Sequence, residues 1–443
     1  MIRKNTSQHL SAGVMAIILL SLMYSFGTFG FLNLFGARSI VQVLLIAIIT
    51  LVFIVMRIRF RTNHLMPIIV FSGTYIIGSL AFGSAVGGLL EIYILIFCFV
   101  LFFYSPPTHV IFFTKALIVA TTILCILVLI AFIYYQIYPG EVSRANIRIY
   151  SSEDGSNRIY PGYFMDFISF TSGDGFRIME HTITRMKGYS NEPSSTIVHY
   201  VAPAAMAFIL GGRFIYLGAF ILAVNIVAIV SFTTYIILIL SFALFTIKFI
   251  PKVISKVLFF LLICCFLFLI LNPGIVMSGF IYASSVMMDI AGLDLLSRKI
   301  HVGNAPDSNL NDRHKGIMNG FKLALSSPLG YPEQELGSGS GLFYIVSSRA
   351  GWIGILIFGA FMTSLIKNIK VTYFTVHSLT YSFGVSLILS ILLVALFISG
   401  YGWNRAPGII MMLLFFRFVQ IVASENNELP KFMYRRFLSN LPR

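Results

Sequence analysis

The sequence predicts an all-α integral-membrane protein, a polytopic bundle of about 12 transmembrane helices with two large loops on its outer face. Three observations predict it. Hydrophobic residues make up 58% of the 443 and charged residues 11%, with a mean hydropathy of +0.90. Apolar runs of about 18 residues or more recur, the length a helix needs to cross roughly 30 Å of hydrocarbon. Basic residues collect in alternate inter-run segments, as the positive-inside rule expects of cytoplasmic loops.

These observations also exclude other classes. A net charge of +15 would suit a nucleic-acid binder, but most of the excess lies in short loops and tails on one side, so no nucleic acid is expected. Cys98, Cys125, Cys264 and Cys265 all lie inside apolar runs and read as small buried hydrophobes. The chain has no Cys/His metal spacing and no Walker A pattern, so ATP is not expected to drive the process and no cofactor is expected. It lacks the broken-helix repeat of secondary transporters.

Taken in order, spans are expected at about 10–30, 40–56, 66–83, 88–104, 110–135, 196–212, 214–230, 231–248, 256–274, 341–366, 378–400 and 408–424. The first follows Arg3 and Lys4, is longer than a signal-peptide core and reads as an uncleaved span. The run 214–248 is too long for one helix and is divided near Ser231. With both termini cytoplasmic, the inner side receives Arg57, Arg59, Arg61, Arg213, Lys248, Lys252, Lys256, Lys367, Lys370, Lys431, Arg435, Arg436 and Arg443, whereas the short outer loops receive Arg38 and Arg405. Five parts result: helices 1–5 in 1–135, a first long loop in 136–195, helices 6–9 in 196–275, a second long loop in 276–340, and helices 10–12 with a cytoplasmic tail in 341–443.

The two long loops carry seven and six of the 16 acidic residues. Loops are where function concentrates, and each of these is expected to fold as short helices packed on the bundle. The first is rich in aromatics, among them Tyr150, Tyr160, Tyr163, Phe164, Phe167, Phe170, Phe176 and Tyr189. These suit packing against the bundle or a platform for sugar rings.

The candidate site residues fall in two polar stretches. His181, Arg185, Lys187, Gly188, Tyr189, Glu192 and Pro193 precede the span at 196. A planar Arg fork there can take a phosphate bidentately, Gly188 allows close backbone approach, and Glu192 can hold Arg185. An ordinary interfacial Arg–Glu pair fits the same residues. In the second stretch, Asp312-Arg313-His314-Lys315 forms a dense basic group. It leads through Gly320-Phe321 and Ser327-Pro328-Leu329-Gly330 to a Gly/Ser run at 337–341. A solvated loop with a flexible linker fits these residues as well. Arg349 lies about eight residues into the tenth span, where a charge usually faces a cavity or partner. Arg417, in the last span, can snorkel to the cytoplasmic face, and Glu91 and Lys115 lie near membrane ends.

In three places the chain resembles the bacterial O-antigen polymerase and ligase group, the Wzy-type membrane glycosyltransferases: Arg185-x-x-Gly188-x-x-x-Glu192-Pro193 before a span, Arg313 followed by Gly320-Phe321 and Pro328-Leu329-Gly330, and Gly341 to Gly354 with its Gly-x-x-Gly ending. The resemblance implies that the two long loops are periplasmic and that the chain sits in the bacterial inner membrane. It implies a growing glycan on undecaprenyl diphosphate as donor and a hydroxyl of the next lipid-linked unit as acceptor. A chain-length regulator is a further possible partner, alongside membrane lipid. Charge develops on the leaving diphosphate, so preplaced Arg groups stabilise the transition state. Arg185 and Arg313 are assigned that role, with Arg349 third and Lys187, Gly188, His181, Lys315 and Tyr189 binding substrate. The base that takes the acceptor proton is open among His314, His301, His181 and Glu192. The ligase branch has a His before the Gly-x-x-Gly span; here Ser338-Gly339-Ser340-Gly341 stands instead, which favours a polymerase. A ligase and, from another class, a flippase of lipid-linked sugars are the alternatives.

Overall fold

The computed structural model describes residues 12–25, 47, 51, 85–137, 147–151, 157–160, 162–163, 168–178, 181–188, 197–229, 231–272, 282, 286, 293–294, 318–319, 322, 325–329, 342–343, 346–347, 350–360, 363, 378–397, 408 and 410–422. The spans expected at 40–56 and 66–83 lie outside them, apart from helical residues 47 and 51.

The apolar part of the chain is helical. Helix α1 is Ala12–Ser25, α2 Ala85–Tyr104 and α3 Pro107–Ile137. Pro107 opens α3, where its missing N–H costs nothing. Thr114 and Thr122 donate their hydroxyls to the carbonyls one turn earlier, Val110 at 2.9 Å and Ile118 at 2.8 Å, so these polar groups are satisfied within an apolar helix. Residues 107–134 of α3 are long and apolar enough to cross a membrane, as is Leu379–Leu396. At 31 residues, α3 is about 46 Å long. That exceeds a hydrocarbon core of roughly 30 Å by about three helical turns.

The segment after α3 departs from expectation. Instead of short helices it forms antiparallel strands: β1 Ile147–Ser151, β2 Asn157–Tyr160, β3 Gly162–Tyr163, β4 Ile168–Ile178 and β5 His181–Gly188. The reason is legible in runs such as Ile147-Arg-Ile-Tyr and Thr182-Ile-Thr, which alternate with period two and are rich in β-branched and aromatic residues. β1 pairs with β2, and β4 pairs with both β3 and β5.

The chain then returns to helix through a five-residue π-turn, Ile197–Val201, that leads into α4, Ala202–Leu210. Gly211 and Gly212, at φ 72° and 56°, make the tight reversal into α5, Phe214–Val224, which ends in a second π-turn, Asn225–Ile229. Ser231 is extended (φ −89°, ψ 122°) and separates this helix from α6, Phe232–Ile247, where the sequence predicts the division. Helix α7 is Lys252–Leu271, and β6 is Leu293–Asp294. Among the described residues, α8 Ala350–Ala360, α9 Leu379–Phe397 and α10 Ile410–Val422 follow.

The centre of the bundle is built on small residues. Helix α9 packs on α4 and α6, and α3 packs on α1, α4 and α5. At Gly384 of α9, an added Cβ would fall 2.8 Å from the Ala205 carbonyl oxygen of α4; close backbone approach of this kind is how helices associate without a hydrophobic drive. Helix α7 packs lightly on α6, and Cys264 and Cys265 are exposed on its uncovered side, whereas Cys98 and Cys125 are buried as expected. Arg417 is half-buried and has a partner on α2. Its Nε donates to the Phe102 carbonyl at 3.1 Å, and its guanidinium lies 5.7 Å from the Phe103 ring centre. Lys115 and Arg213 lie 5.9 and 5.7 Å from the ring of Phe214, beside the Gly211–Gly212 reversal.

Candidate functional site

Strand β5 brings His181, Arg185, Lys187 and Gly188 together on one element that rests on the helices. It packs on α3 and on the second π-turn, and Met186 is fully buried in the main hydrophobic core. A strand turns successive residues to opposite faces, so Met186 fixes which face of β5 meets the bundle.

The ladder between β4 and β5 is irregular at the residues of interest. His181 to Thr184 pair in register with Ile178 back to Gly175; then Met186 pairs with Phe170 and Gly188 with Ser169. Arg185 and Lys187 are therefore the two β5 positions without a ladder partner. Opposite Arg185, β4 inserts Thr171 to Asp174 as a bulge. Bulges re-aim side chains and are over-represented beside active sites. Both basic residues of the first motif fall at such breaks, either side of the buried anchor.

The second long segment joins this sheet. β6 pairs with β4, Arg177 opposite Asp294 and Ile178 opposite Leu293, next to the end of the hairpin where His181 lies. A further contact draws that segment to α8. Ser327 and Pro328 accept hydrogen bonds from the Trp352 and Ile353 N–H groups at 3.1 and 3.4 Å. The loop carbonyls thus take the N–H groups of the two residues that follow Gly351 in α8. Gly351 makes the fit possible: its φ is 58°, and an added Cβ would lie 2.5 Å from the Ser327 and Pro328 carbonyl oxygens. The Pro328-Leu329 motif and the Gly351–Gly354 motif, separate in sequence, thus touch. Arg349 immediately precedes α8.

Glu192, Tyr189, Arg313, His314, Lys315, Arg349 and His301 lie outside the described residues, and no geometry joins them to β5. Of the aromatic set, Tyr150, Tyr160, Tyr163, Phe170 and Phe176 lie on strands, while Phe164, Phe167 and Tyr189 fall outside the described residues.

A group of buried polar residues beneath β5 escapes a search for charge. His199 and Tyr200 are buried in the first π-turn, and Asn225 opens the second. Thr121 of α3 donates its hydroxyl to the His199 carbonyl at 3.4 Å. Tyr235 of α6 donates its hydroxyl to the Ile226 carbonyl at 2.9 Å. π-Turns disturb the regular i−4 pairing and are frequent at functional sites. The signal was present in the sequence as a His and an Asn inside apolar runs.

Compared with known proteins, the chain matches no family model, no curated protein and no solved structure.

Proposed function

We propose that this chain polymerises undecaprenyl-diphosphate-linked oligosaccharide units at the outer face of the bacterial inner membrane. The growing glycan passes from its lipid diphosphate to a sugar hydroxyl of the next unit: the anomeric C–O bond to diphosphate breaks, the new glycosidic bond forms, and undecaprenyl diphosphate leaves. The observation that carries this reading is β5. Its two basic residues, Arg185 and Lys187, stand at the two unladdered positions, with Met186 locked in the apolar core between them. A pair of cations at the junction of an apolar bundle and a polar segment suits a ligand with a polyisoprenoid tail and a diphosphate head. β6 supports the reading further, because it joins the segment that carries Arg313-His314-Lys315 to the same sheet. Twelve spans, with both termini cytoplasmic and both long segments periplasmic, belong to this proposal.

The test is the glycan ladder of cells lacking the gene and of cells complemented with it. Core bearing a single repeat unit in the deletion, with long chains restored on complementation, is the expected result. Bare core with accumulated lipid-linked polymer would instead identify a ligase. Single lipid-linked units held at the inner leaflet would identify a flippase. Arg185→Ala is expected to abolish the ladder above one unit while membrane insertion is kept, and Arg185→Lys to rescue little, because an ammonium cannot grip diphosphate bidentately. A full ladder from Arg185→Ala would remove Arg185 from the site.

A further inference from the structure

One charge interrupts the exposed apolar face of α3. Phe112, Val119, Ile123, Ile126 and Ile130 are each about half exposed, and their three- and four-residue spacing places them on one stripe along the helix. Lys115 falls on that stripe by the same spacing and is exposed as well. Its Nζ lies 5.9 Å from the centre of the Phe214 ring, and the Arg213 guanidinium lies 5.7 Å from the same centre. Arg213 is exposed too, and Tyr216, in the first turn of α5, is 77% exposed. Two like charges are thus gathered at one aromatic ring. The ring attracts each of them but does not cancel their mutual repulsion. α3 and the helices α1, α4 and α5 that pack on it contain no Asp or Glu, so no carboxylate of these helices neutralises the pair. From Lys115 to Ile126 the stripe runs about 16 Å, close to the depth of one hydrocarbon leaflet, about 15 Å.

We propose that Lys115 and Arg213, gathered at Phe214, bind the headgroup of an anionic phospholipid whose acyl chain lies along the α3 stripe. The site is distinct from β5 and goes beyond the sugar-transfer reading; it requires only that α3 lie in a bilayer. In the topology proposed above it belongs to the cytoplasmic leaflet, where basic residues between helices recognise anionic headgroups. The division of labour follows from the side chains. The planar fork of Arg213 takes two phosphate oxygens, and Lys115 adds a point charge. Charge and apolar surface are adjacent, and a phospholipid carries both. A free phosphate would meet the same cations but leave the stripe uncovered.

The experiment uses the full-length protein in a non-ionic detergent. Dioleoyl phosphatidylglycerol or dioleoyl phosphatidylcholine is added, and bound lipid is counted by native mass spectrometry. The wild-type protein is expected to prefer phosphatidylglycerol by about tenfold over phosphatidylcholine, which has the same chains and phosphate but no net charge. Lys115→Gln and Arg213→Gln are each expected to weaken phosphatidylglycerol binding about fivefold, and Lys115→Arg to keep it. Lys256→Gln removes an exposed cation of α7 and is expected to change nothing. Equal binding of the two lipids by the wild type, or undiminished phosphatidylglycerol binding by the Lys115→Gln, Arg213→Gln double variant, would overturn the site. So would an equal loss in Lys256→Gln, because the attraction would then belong to the net charge of +15 at large. A loss of binding that tracks a lowered lipid-free unfolding temperature would mark a packing role and overturn it as well. Displacement of the lipid by glycerol phosphate would identify a soluble phosphate as the ligand in its place.

Discussion

Arg417 illustrates how a charge survives in the apolar interior. Its Nε meets the Phe102 carbonyl, one of the last of α2, and its guanidinium lies near the Phe103 ring. The last four carbonyls of a helix lack partners within it and carry the negative end of the helix dipole. The contact therefore gives that carbonyl a donor and Nε an acceptor. Arg417→Leu is expected to cost about 1–2 kcal/mol of stability, read as a lowered unfolding temperature in detergent, and Arg417→Lys to recover part of it. A variant as stable as the parent would show that water serves the Phe102 carbonyl equally well. The sequence offered only snorkelling to the cytoplasmic face for Arg417, because its carbonyl partner is 315 residues away. The same limit applies to Arg185 and Lys187. Their charge and their neighbourhood to Gly188 were legible; that both stand at ladder breaks was not, since register depends on β4. His199 and Asn225 were passed over because the search was for charge, and both are uncharged residues within apolar runs.

At the scale of elements, periodicity decided most outcomes. The break at Ser231 followed from length alone, since 35 consecutive residues over 214–248 cannot be one span. The strands of the first long segment were missed, although their alternation was present, because a segment too short for a large core was expected to pack on the bundle as short helices. The contact between Ser327-Pro328 and residues 352–353 of α8 could not be read from sequence: the residues are about two dozen apart, and no local pattern announces a backbone-to-backbone contact of this kind. Its stringency is testable. Gly351→Ala places a methyl group against the Ser327 and Pro328 carbonyls and forces a left-handed conformation on a residue that disfavours it by about 1–2 kcal/mol. Chain extension is expected to fall at least tenfold, with the protein still inserted, while Gly359→Ala, where an added Cβ meets nothing within 4 Å, is expected to be silent. Equal activity of the two would show that this contact does not position the second segment.

Over the whole molecule, two groups of features lie towards different ends of the helices. β5, both π-turns and the Ser231 break gather near one end of α5 and α6. The Gly211–Gly212 reversal, with Arg213 and Lys115 beside Phe214, lies at the other end of α5. The far end of α6 carries Lys248, whose Nζ donates to the Ser382 hydroxyl of α9. In the topology proposed above, the Gly211–Gly212 reversal and Lys248 mark the cytoplasmic ends. With the four cysteines replaced by Ala, Glu180→Cys is expected to react with a membrane-impermeant thiol reagent in intact spheroplasts. Phe249→Cys, in the turn after α6, is expected to react only after lysis. Labelling of both from the same side would invert or dissolve the proposed topology.

The bond between Phe102 and Arg417 also bears on biogenesis. In the multi-pass topology proposed above, helices enter the bilayer in the order in which they are synthesised, so α2 would be inserted long before its Arg arrives. Between those moments its carbonyl end has only lipid, water or a provisional neighbour to face, and at about 5–20 residues per second the wait spans tens of seconds. A nascent chain arrested before residue 417 is therefore expected to hold α2 and α3 in a looser association, more open to quality-control proteolysis, than the finished protein. The last helix closes a contact that the fourth expected span leaves open.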